Sequence, residues 1–541
     1  MAISLSIVGQ PASIVAAYNP IEYKIRVSPA GASQSVSMAI YHADSTTLIA
    51  QWSQQIDFGS ADTFTFRLEQ VLQDKLAYNL HQPSEFGVLE APDASVKVFC
   101  VFLNDDQTAF QISTPITAIN GGLQLDVEPS LSPYIMDGNG AKRFLTSSMP
   151  EKEVQIDEYE TLAIVADTTT SLVANIKSYL PGNPAPTITN NIAIPSTLVG
   201  KKRFDVAIGP RNLNLAQALT ITEAHSHYDV TITSSGNENF FLDMDGGTME
   251  ASINGFLAGP GFTSGQQSNA FAHTGTKSLK VNFSDGPGSG SFHNGWKSAS
   301  VLPLAQYTTY TFSCWVYCTG TKSTSQPPSM RIGVEGLTDA TITYTNSWNA
   351  GILNQWILMT TQVVTEQDTA ARLVVDKAGI WSGLTVYFDD VNVSGIRVFS
   401  ETKRYRLTKN NCHATRVHFL NRLGGMDSYT FAGAEKSSIK TESSSFEKLK
   451  PTWFNATNRG RQVLHKQGAV RLSCSSDALR PDEMLWLQEL LTSPAVYVQQ
   501  GDKLLPVLLR DGEFEILDPV KNILRLRVEL EYANDMILQR N

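Results

Sequence analysis

The sequence predicts an all-β protein, with several β-sandwich or jelly-roll domains and a C-terminal β-domain that carries one short α-helix. Runs of β-branched and aromatic residues recur between clusters of turn-forming residues, which is the pattern of half-buried strands. Only 17% of the residues are charged, whereas glycine occurs 37 times. A chain of 541 residues is too long for one core, and about 150 residues per domain gives roughly three to five domains.

Residues 1–122 are predicted to form an immunoglobulin-like β-sandwich. Period-two patterns occur at 21–29, 35–43, 62–68 and 95–104, and one or two helical turns are expected within 68–80. Prolines or Asn/Asp residues bound several of these runs, as they bound short strands of a sandwich. The segment lacks the residue types of an active site, so we expect it to serve in packing and docking.

A discontinuous β-domain is predicted for 123–236 and 396–475. Strand patterns lie at 158–166, 202–208, 227–235 and, beyond an inserted segment, 395–408. Gly236 and Gly395 flank the insert. We expect the insert to enter a surface loop between two strands, because insertions cost least stability there.

The insert, residues 237–395, has a strand pattern of its own. It opens with the acidic run FFLDMDGG and continues through YTFSCWVYC and WILMTTQVV to LTVYFDDVNVSG. In this order the insert resembles the jelly-roll carbohydrate-binding modules of the galactose-binding-like class. The resemblance implies a binding function and supplies no catalytic signature.

A structural calcium ion is a further expectation from this resemblance, since jelly rolls of this class often hold one and Ca²⁺ takes carboxylate and carbonyl oxygens. The first and last strands of such a sandwich are neighbours, which would bring the acids of its two ends together. Solvated acidic edges are the alternative explanation. The candidate ligands are Asp243, Asp245, Asp389 and Asp390, with carbonyl oxygens from the turn at Thr276.

Sugar recognition would need aromatic rings that stack on pyranose C–H faces, together with amides and acids for the hydroxyls. Aromatic residues in loop-like contexts are the candidates, although loop tryptophans also plug sandwich ends or form subunit contacts. These candidates are Trp296, Tyr344, Trp348 and Trp381. Trp315 and Trp356 lie within strand patterns and are expected to fill the core.

The C-terminal segment, 476–541, contains the clearest helix signal. Pro481 suits the first helical position, Asp482 and Glu483 favour the positive end of the helix dipole, and Ser493-Pro494 ends the helix. Strand patterns follow, so this segment is expected to pack its helix on the preceding β-domain.

Together, the strand–turn–strand at 412–433, the helix with 493–509, and the last strand at 524–534 resemble structural tail proteins of tailed phages. The similarity is to distal tail or baseplate components of phages of Bacteroidetes-type hosts, and it spans 132–541 without the insert. It implies a homo-oligomeric ring, with a hexamer favoured and a trimer possible. It also implies other phage tail proteins as partners, host-surface carbohydrate as ligand, and a place in the virion tail after assembly in the host cytoplasm.

Catalysis is not expected. His225 and His227 would share a strand face, but no third metal ligand stands nearby. Cys412 and His413 are adjacent, and neighbouring strand residues point to opposite faces. Neither a nucleophile elbow nor a phosphate-binding glycine loop occurs.

Charge and composition limit the other partners. The net charge of −10 argues against nucleic acid, and no apolar run is long enough for membrane insertion. The first residues lack the basic region of a signal peptide. The scattered cysteines fit buried thiols in a reducing cytoplasm. Two alternatives to a tail-ring component are a head-associated or fibre-type adhesive virion protein and a secreted carbohydrate-binding accessory of a glycan-degrading system.

Overall fold

The computed structural model confirms the all-β class, with strands arranged in several sheets. None of its helices is long and apolar enough to cross a membrane, among the residues that it describes. Those residues are 4–28, 34–56, 63–104, 110–124, 130–138, 141–168, 170–194, 202–215, 220–240, 249–250, 256–258, 262–283, 293–298, 302–305, 308–321, 328–336, 342–349, 353–365, 370–409, 414–433, 436–448, 461–510, 524–534 and 537–540.

The first part of the chain forms two facing sheets around one apolar core. One sheet has the order β1-β3-β6 and the other β2-β10-β8-β4-β5, with β9 on β8. The predicted strands and the helical turn are confirmed. The elements are β1 Ser4–Gly9, β2 Ile14–Ala16, β3 Glu22–Ser28, β4 Gln34–His42, β5 Leu48–Ile56, β6 Thr63–Arg67, α1 Glu69–Gln73, β7 Gly87–Glu90, a 3₁₀ turn Pro92–Ala94, β8 Ser95–Asn104, β9 Phe110–Ile112 and β10 Ile116–Ile119.

The second part encloses another core between two sheets. The strand β7 leaves the first sandwich and joins the four-stranded sheet β11-β13-β16-β7, so the first two parts share a sheet. The elements are a 3₁₀ turn Ser132–Tyr134, β11 Ile135–Met136, β12 Glu151–Gln155, β13 Thr161–Ala166, β14 Leu172–Tyr179, β15 Ile188–Ala193, β16 Lys202–Ala207, α2 Pro210–Leu215 and β17 His227–Phe240.

The insert is a sandwich with a core of its own. One sheet has the order β19-β20-β28-β23-β26, and the other has β18-β21-β27-β24-β25 with β22 on β27. The strands are β18 Phe256–Ala258, β19 Phe262–Ser268, β20 Ser278–Phe283, β21 His293–Ser298, β22 Leu302–Pro303, β23 Thr309–Gly320, β24 Ser329–Gly336, β25 Ile342–Asn349, β26 Trp356–Val364, β27 Ala370–Ala378 and β28 Leu384–Val398.

The insert does not enter through a loop, so that prediction from Gly236 and Gly395 is wrong. Both glycines lie inside long strands, β17 and β28, which pair antiparallel from Thr233↔Val398 to Phe240↔Val393. One ten-stranded sheet therefore runs from the second part of the chain into the insert. Tyr310 ties the junction, because its hydroxyl donates to the carbonyl of Ile396 at 2.6 Å.

The last part is an eight-stranded sheet of order β31-β30-β34-β35-β36-β33-β32, with β37 on β33. Helix α3 begins at Pro481 as predicted and packs Met484, Trp486, Leu487 and Leu490 into the core. The elements are β29 Lys403–Thr408, β30 Thr415–Leu420, β31 Met426–Phe431, β32 Lys436–Glu447, β33 Arg461–Ser475, α3 Pro481–Thr492, β34 Val496–Gln500, β35 Lys503–Leu509, β36 Arg527–Tyr532 and β37 Ile537–Arg540. Of these, β29 belongs to the ten-stranded sheet.

A buried ionic network joins the second part to the last part. The Lys152 ammonium donates to both carboxylate oxygens of Glu160 at 2.8 and 2.9 Å. Arg416, on β30, contacts Glu160 and also lies 3.0 Å from Glu158. Because its members come from both parts, the network fixes the two sheets against each other.

Candidate functional site

Two tryptophans predicted to bind sugar lie in the core of the insert, so that prediction is wrong for them. Trp296 and Trp381 are 0% and 1% exposed. Trp296 is on strand β21 and meets Phe388 edge-on, with 5.1 Å between ring centroids. The Trp381 indole N–H donates to the carbonyl of Ala378 at 2.8 Å. Both residues have polar neighbours in the sequence, which is typical of loops. Each ring nevertheless packs in the core of the sandwich.

The other two candidates are placed on a strand rather than a loop. Tyr344 and Trp348 belong to β25, where Trp348 pairs with Met330. Their side chains lie outside the described residues.

Trp315 and Trp356 were expected in the core, and the structure places both on the outer face of the five-stranded sheet. Along β23 the burial alternates: Tyr310, Phe312 and Cys314 point into the core, whereas Trp315 points outward and is half-buried. Trp356 opens β26 and is also half-buried. Both rings therefore stand where a ligand could reach them.

Aromatic side chains from three neighbouring strands meet on this outer face. Tyr317 of β23 pairs across the sheet with Trp356 on one side and Tyr387 on the other. The Tyr317 centroid lies 5.5 Å from that of Trp356 and 6.1 Å from that of Tyr387. We call Phe271, His273, Trp315, Tyr317, Trp356 and Tyr387 the aromatic face.

The segment 269–277, between β19 and β20, packs on this face and supplies its other two rings. Phe271 stacks on Tyr317 with centroids 4.4 Å apart. His273 stacks on Trp315 at 3.9 Å and 15° between planes, and meets Trp356 edge-on. Tyr317 is thereby covered, while Phe271 remains 37% exposed. Phe271 is exposed, and His273, Trp315 and Trp356 are half-buried, so these four rings keep solvent-accessible area.

Two aspartates of β28 hold this segment in place. The buried Asp389 accepts hydrogen bonds from the backbone N–H groups of His273 and Thr274 at 2.7 and 3.2 Å. Asp390 accepts from the Thr274 hydroxyl at 2.5 Å, and its other oxygen lies 2.6 Å from Nδ1 of His273. Burial raises the pKa of Asp389, and the backbone hydrogen bonds act in the opposite direction. The carboxylates thus orient the His273 ring against Trp315.

Glu250 anchors the other end of the segment. Its carboxylate accepts from the backbone N–H of Thr276 at 2.6 Å, from the Thr276 hydroxyl at 2.8 Å and from the N–H of Lys277 at 2.8 Å. These hydrogen bonds, with the Thr276 hydroxyl first, lower the pKa of Glu250. Gly275, which precedes Thr276, has φ +65°, and a Cβ there would collide with the Glu250 carboxylate. The segment is therefore pre-organised by acids at both ends.

The predicted calcium ligands are only partly described. Asp243 and Asp245 lie outside the described residues, and no group of three acidic, histidine or cysteine side chains in the described part could hold a metal ion. Both oxygens of Asp389 and of Asp390 have hydrogen-bond partners. Thr276 serves as a donor to Glu250. The described residues therefore suit a loop anchor rather than a cation cage, and the calcium ion stays a prediction.

Apolar and polar groups flank the open rings. Leu358, the cross-strand neighbour of Trp315, is 46% exposed. On the same face, the exposed Gln362 amide donates to the Thr311 hydroxyl at 3.2 Å, and the Thr385 hydroxyl donates to the Asn282 side chain at 3.4 Å. Such a surface combines stacking with hydroxyl, amide and carbonyl groups that could bond to a polyhydroxylated ligand.

The remaining histidines and cysteines do not form a second site in the described part of the chain. His227 stacks on Tyr179, with 4.5 Å between ring centroids, and His418 is buried beside Tyr159. Cys314 and Cys318 are buried free thiols, as expected, and burial raises the pKa of each to about 12. Cys412 and His413 lie outside the described residues.

No protein-family model and no curated protein matches the chain. Solved structures similar to part of it include the CBM22-1 xylan-binding domain from Paenibacillus barcinonensis Xyn10C, at 15% identity and TM-score 0.20, over 28% of this chain and 90% of that one. TmCBM61 in complex with β-1,4-galactotriose is 11% identical at TM-score 0.22, over 30% and 99%. The enzymatically active domain of Bacteriophage CBA120 tailspike protein 4 is 9% identical at TM-score 0.20, over 28% and only 20%. At such scores the likeness carries no conclusion about ligands.

Proposed function

We propose that the aromatic face of the insert binds carbohydrate on the host surface or in mucus. The observation that carries the proposal is the set of solvent-accessible rings, Phe271, His273, Trp315 and Trp356, held in fixed orientation next to polar groups on the outer face of one sheet. Pyranose rings present apolar C–H faces and a belt of hydroxyls, so they match flat rings bordered by hydrogen-bonding side chains.

Rigid placement of the rings supports the proposal. His273 is fixed between Trp315 and Asp390, and the segment that carries it is anchored at Glu250 and Asp389. A surface already ordered in its binding geometry loses little side-chain entropy when a ligand binds. We infer a binding function without catalysis, because the carboxylates in this arrangement, those of Glu250, Asp389 and Asp390, are engaged in holding the segment 269–277.

We expect Trp356→Ala in the full-length chain to weaken binding to host-surface polysaccharide by about 1–3 kcal/mol, the range for removing one stacked ring. Its effect on the melting temperature should be small, since the ring is half-buried on the outer face. Affinity electrophoresis in polysaccharide gels measures the first quantity and calorimetry the second.

Phe110→Ala is the matched control, because Phe110 is an exposed aromatic residue, 60% exposed, on β9 of the first part. It should leave polysaccharide binding unchanged. Wild-type affinity for Trp356→Ala, or no retention of the wild-type chain by any host-surface glycan, would remove the basis of the proposal.

For the whole chain we propose a structural role in a tailed-phage virion, as a ring component at the tail end that displays the insert toward the host. The resemblance of 132–541 without the insert supports this role. The alternatives are a head-associated or fibre-type adhesive protein and a secreted accessory of a glycan-degrading system. In this proposal the chain is a homo-oligomer, assembled in the host cytoplasm and in contact with other tail proteins.

A further inference from the structure

His273 contributes a polar atom to the aromatic face as well as a ring. Its Nδ1 lies 2.6 Å from one oxygen of Asp390, and the other oxygen of Asp390 accepts from the Thr274 hydroxyl. Among the described residues, the Nε2 atom of His273 has no hydrogen-bond partner. The side chain is 26% exposed, so this nitrogen belongs to a ring that a ligand can reach.

Asp390 determines which nitrogen of His273 carries the proton. A carboxylate only accepts hydrogen bonds, so Nδ1 of His273 is the donor in this contact. In a neutral imidazole, a proton on Nδ1 leaves Nε2 as an acceptor. The Thr274 hydroxyl donates to the same carboxylate and fixes its orientation. Hydrogen bonds to a charged group are the stronger kind, so the contact favours this tautomer.

The position of Nε2 is fixed together with the ring. His273 stacks on Trp315 with 3.9 Å between centroids and meets Trp356 edge-on at 5.6 Å. Its backbone N–H donates to the buried carboxylate of Asp389. Nε2 is therefore held among the rings proposed to stack on sugar, at no further cost in side-chain entropy when a ligand binds.

Polar side chains elsewhere on this sheet face are already bonded to each other. Gln362 donates to Thr311, and Thr385 donates to Asn282. A ligand hydroxyl has to compete with these internal hydrogen bonds. At Nε2 of His273 it competes only with solvent, so the net gain from one hydrogen bond is larger there.

We propose that Nε2 of His273 accepts a hydrogen bond from a hydroxyl of the bound sugar and so determines which sugars the face retains. The ligand class is a pyranoside with a free hydroxyl beside the face that stacks on the rings. Asp390 is a positioning residue, because it acts through the tautomer of His273 and does not touch the ligand. The inference rests on the proposed carbohydrate binding and adds the group that is recognised.

The first test removes the ring nitrogens and keeps an aromatic ring. His273→Phe in the full-length chain should weaken retention in host-surface polysaccharide gels by roughly two- to tenfold, the fold-change of one net hydrogen bond. His465→Phe is the matched control, because His465 is exposed on β33 of the last part. This control should bind like the wild type.

Soluble sugars identify the hydroxyl. The methyl pyranoside that competes best with the polysaccharide is compared with its monodeoxy and mono-O-methyl derivatives. At one ring position both derivatives should compete roughly two- to tenfold less with the wild type, because neither has a hydroxyl proton to donate. His273→Phe should show no difference between the parent sugar and these two derivatives.

A second variant keeps the histidine and changes its tautomer. Asp390 has φ +46°, which Asn also adopts, so Asp390→Asn preserves the backbone. The Asn amide can accept from Thr274 and donate to Nδ1 of His273, which moves the ring proton to Nε2. An Nε2–H donates to an ether oxygen. We therefore expect Asp390→Asn to bind the O-methyl derivative better than the deoxy derivative, whereas the wild type rejects both.

Hydrogen exchange shows whether the segment stays in place in each variant. The amides of His273 and Thr274 donate to Asp389, so they should remain protected in His273→Phe and in Asp390→Asn. If His273→Phe loses this protection, the comparison between wild type and Asp390→Asn decides. Equal discrimination among the three sugars in those two chains then overturns the inference.

The outcomes separate this inference from the proposed function. Wild-type affinity in His273→Phe, together with weaker binding of Trp356→Ala, overturns the role of His273 and leaves carbohydrate binding standing. A wild-type chain that no host-surface polysaccharide retains overturns both.

Discussion

Trp296→Ala is expected to unfold the inserted sandwich or leave it marginally stable, with a loss of about 3–5 kcal/mol, the range for a buried aromatic replaced by alanine. Trp296 is fully buried and meets Phe388 from the facing sheet edge-on. Its removal leaves a cavity between the two sheets, which neighbouring strands cannot close without shifting their backbone. Natural domains are stable by only about 5–15 kcal/mol, so this loss is a large fraction of the total.

Hydrogen exchange is the suitable measurement, because a chain with several cores does not unfold in one transition. Amides of β23 and β28 should lose protection in Trp296→Ala, while amides of β8 in the first sandwich keep theirs. Trp356→Ala is the matched control in the same domain, since it removes the same side chain from the outer face. Equal protection in the two variants would contradict the assignment of inner and outer rings.

The sequence contained enough information to place the Trp315 ring on the outer face. The two cysteines of YTFSCWVYC, Cys314 and Cys318, are four residues apart and were expected to be buried. Strand alternation then places Trp315 and Tyr317 on the opposite face. The prediction instead followed the position of Trp315 within a strand pattern, which does not decide which face of the strand a residue occupies.

Other parts of the aromatic face could not be derived from the sequence. Phe271 and His273 lie in a segment without periodicity, and they reach the sheet only because Asp389, Asp390 and Glu250 bind its backbone and side chains. Asp390 has φ +46°, a conformation that the local sequence pattern does not predict. The contacts of Asp389 and Asp390 join residues more than 100 positions apart, so they depend on the folded sandwich.

Elements specified by local chemistry were predicted well. Pro481 and the acids after it set the start of α3, and Ser493-Pro494 sets its end. The entry of the insert was not predictable in the same way. A glycine usually marks a turn, but Gly395 lies in a strand against the ring of Tyr310, where a Cβ would collide with it. Glycine is required at position 395 because of this packing, which is evident only in the folded structure.

Glu160→Gln is expected to destabilise the junction between the second and last parts by about 3–5 kcal/mol, the cost of removing one partner of a buried ion pair. The buried network has three cations and three carboxylates among the described residues: Lys152, Lys403, Arg416, Glu158, Glu160 and Asp427. The substitution keeps the shape of the side chain and removes one negative charge. It leaves the Lys152 ammonium and the Arg416 guanidinium without the negative charge that they share.

Glu22→Gln is the matched control, because Glu22 pairs with Arg67 at the surface and exposed pairs contribute only about 0–1 kcal/mol. The measurement is hydrogen exchange in β12 and β30, which carry Lys152 and Arg416. Similar losses in the two variants would mean that the network adds no more than a surface pair does.

The loss of stability in Glu160→Gln should also depend on pH, and Lys152 sets the direction of this dependence. Burial lowers the pKa of Lys152 below the ordinary lysine value of 10.5, and Glu160 acts to raise it. Without Glu160 the folded-state pKa falls further, so the unfolded chain binds more protons over a wider interval below 10.5. Stability rises with pH wherever the unfolded state binds more protons. The difference in free energy of unfolding between wild type and Glu160→Gln should therefore narrow as the pH rises toward 10.5. A difference that widens over that range would contradict a charged Lys152 in the buried network.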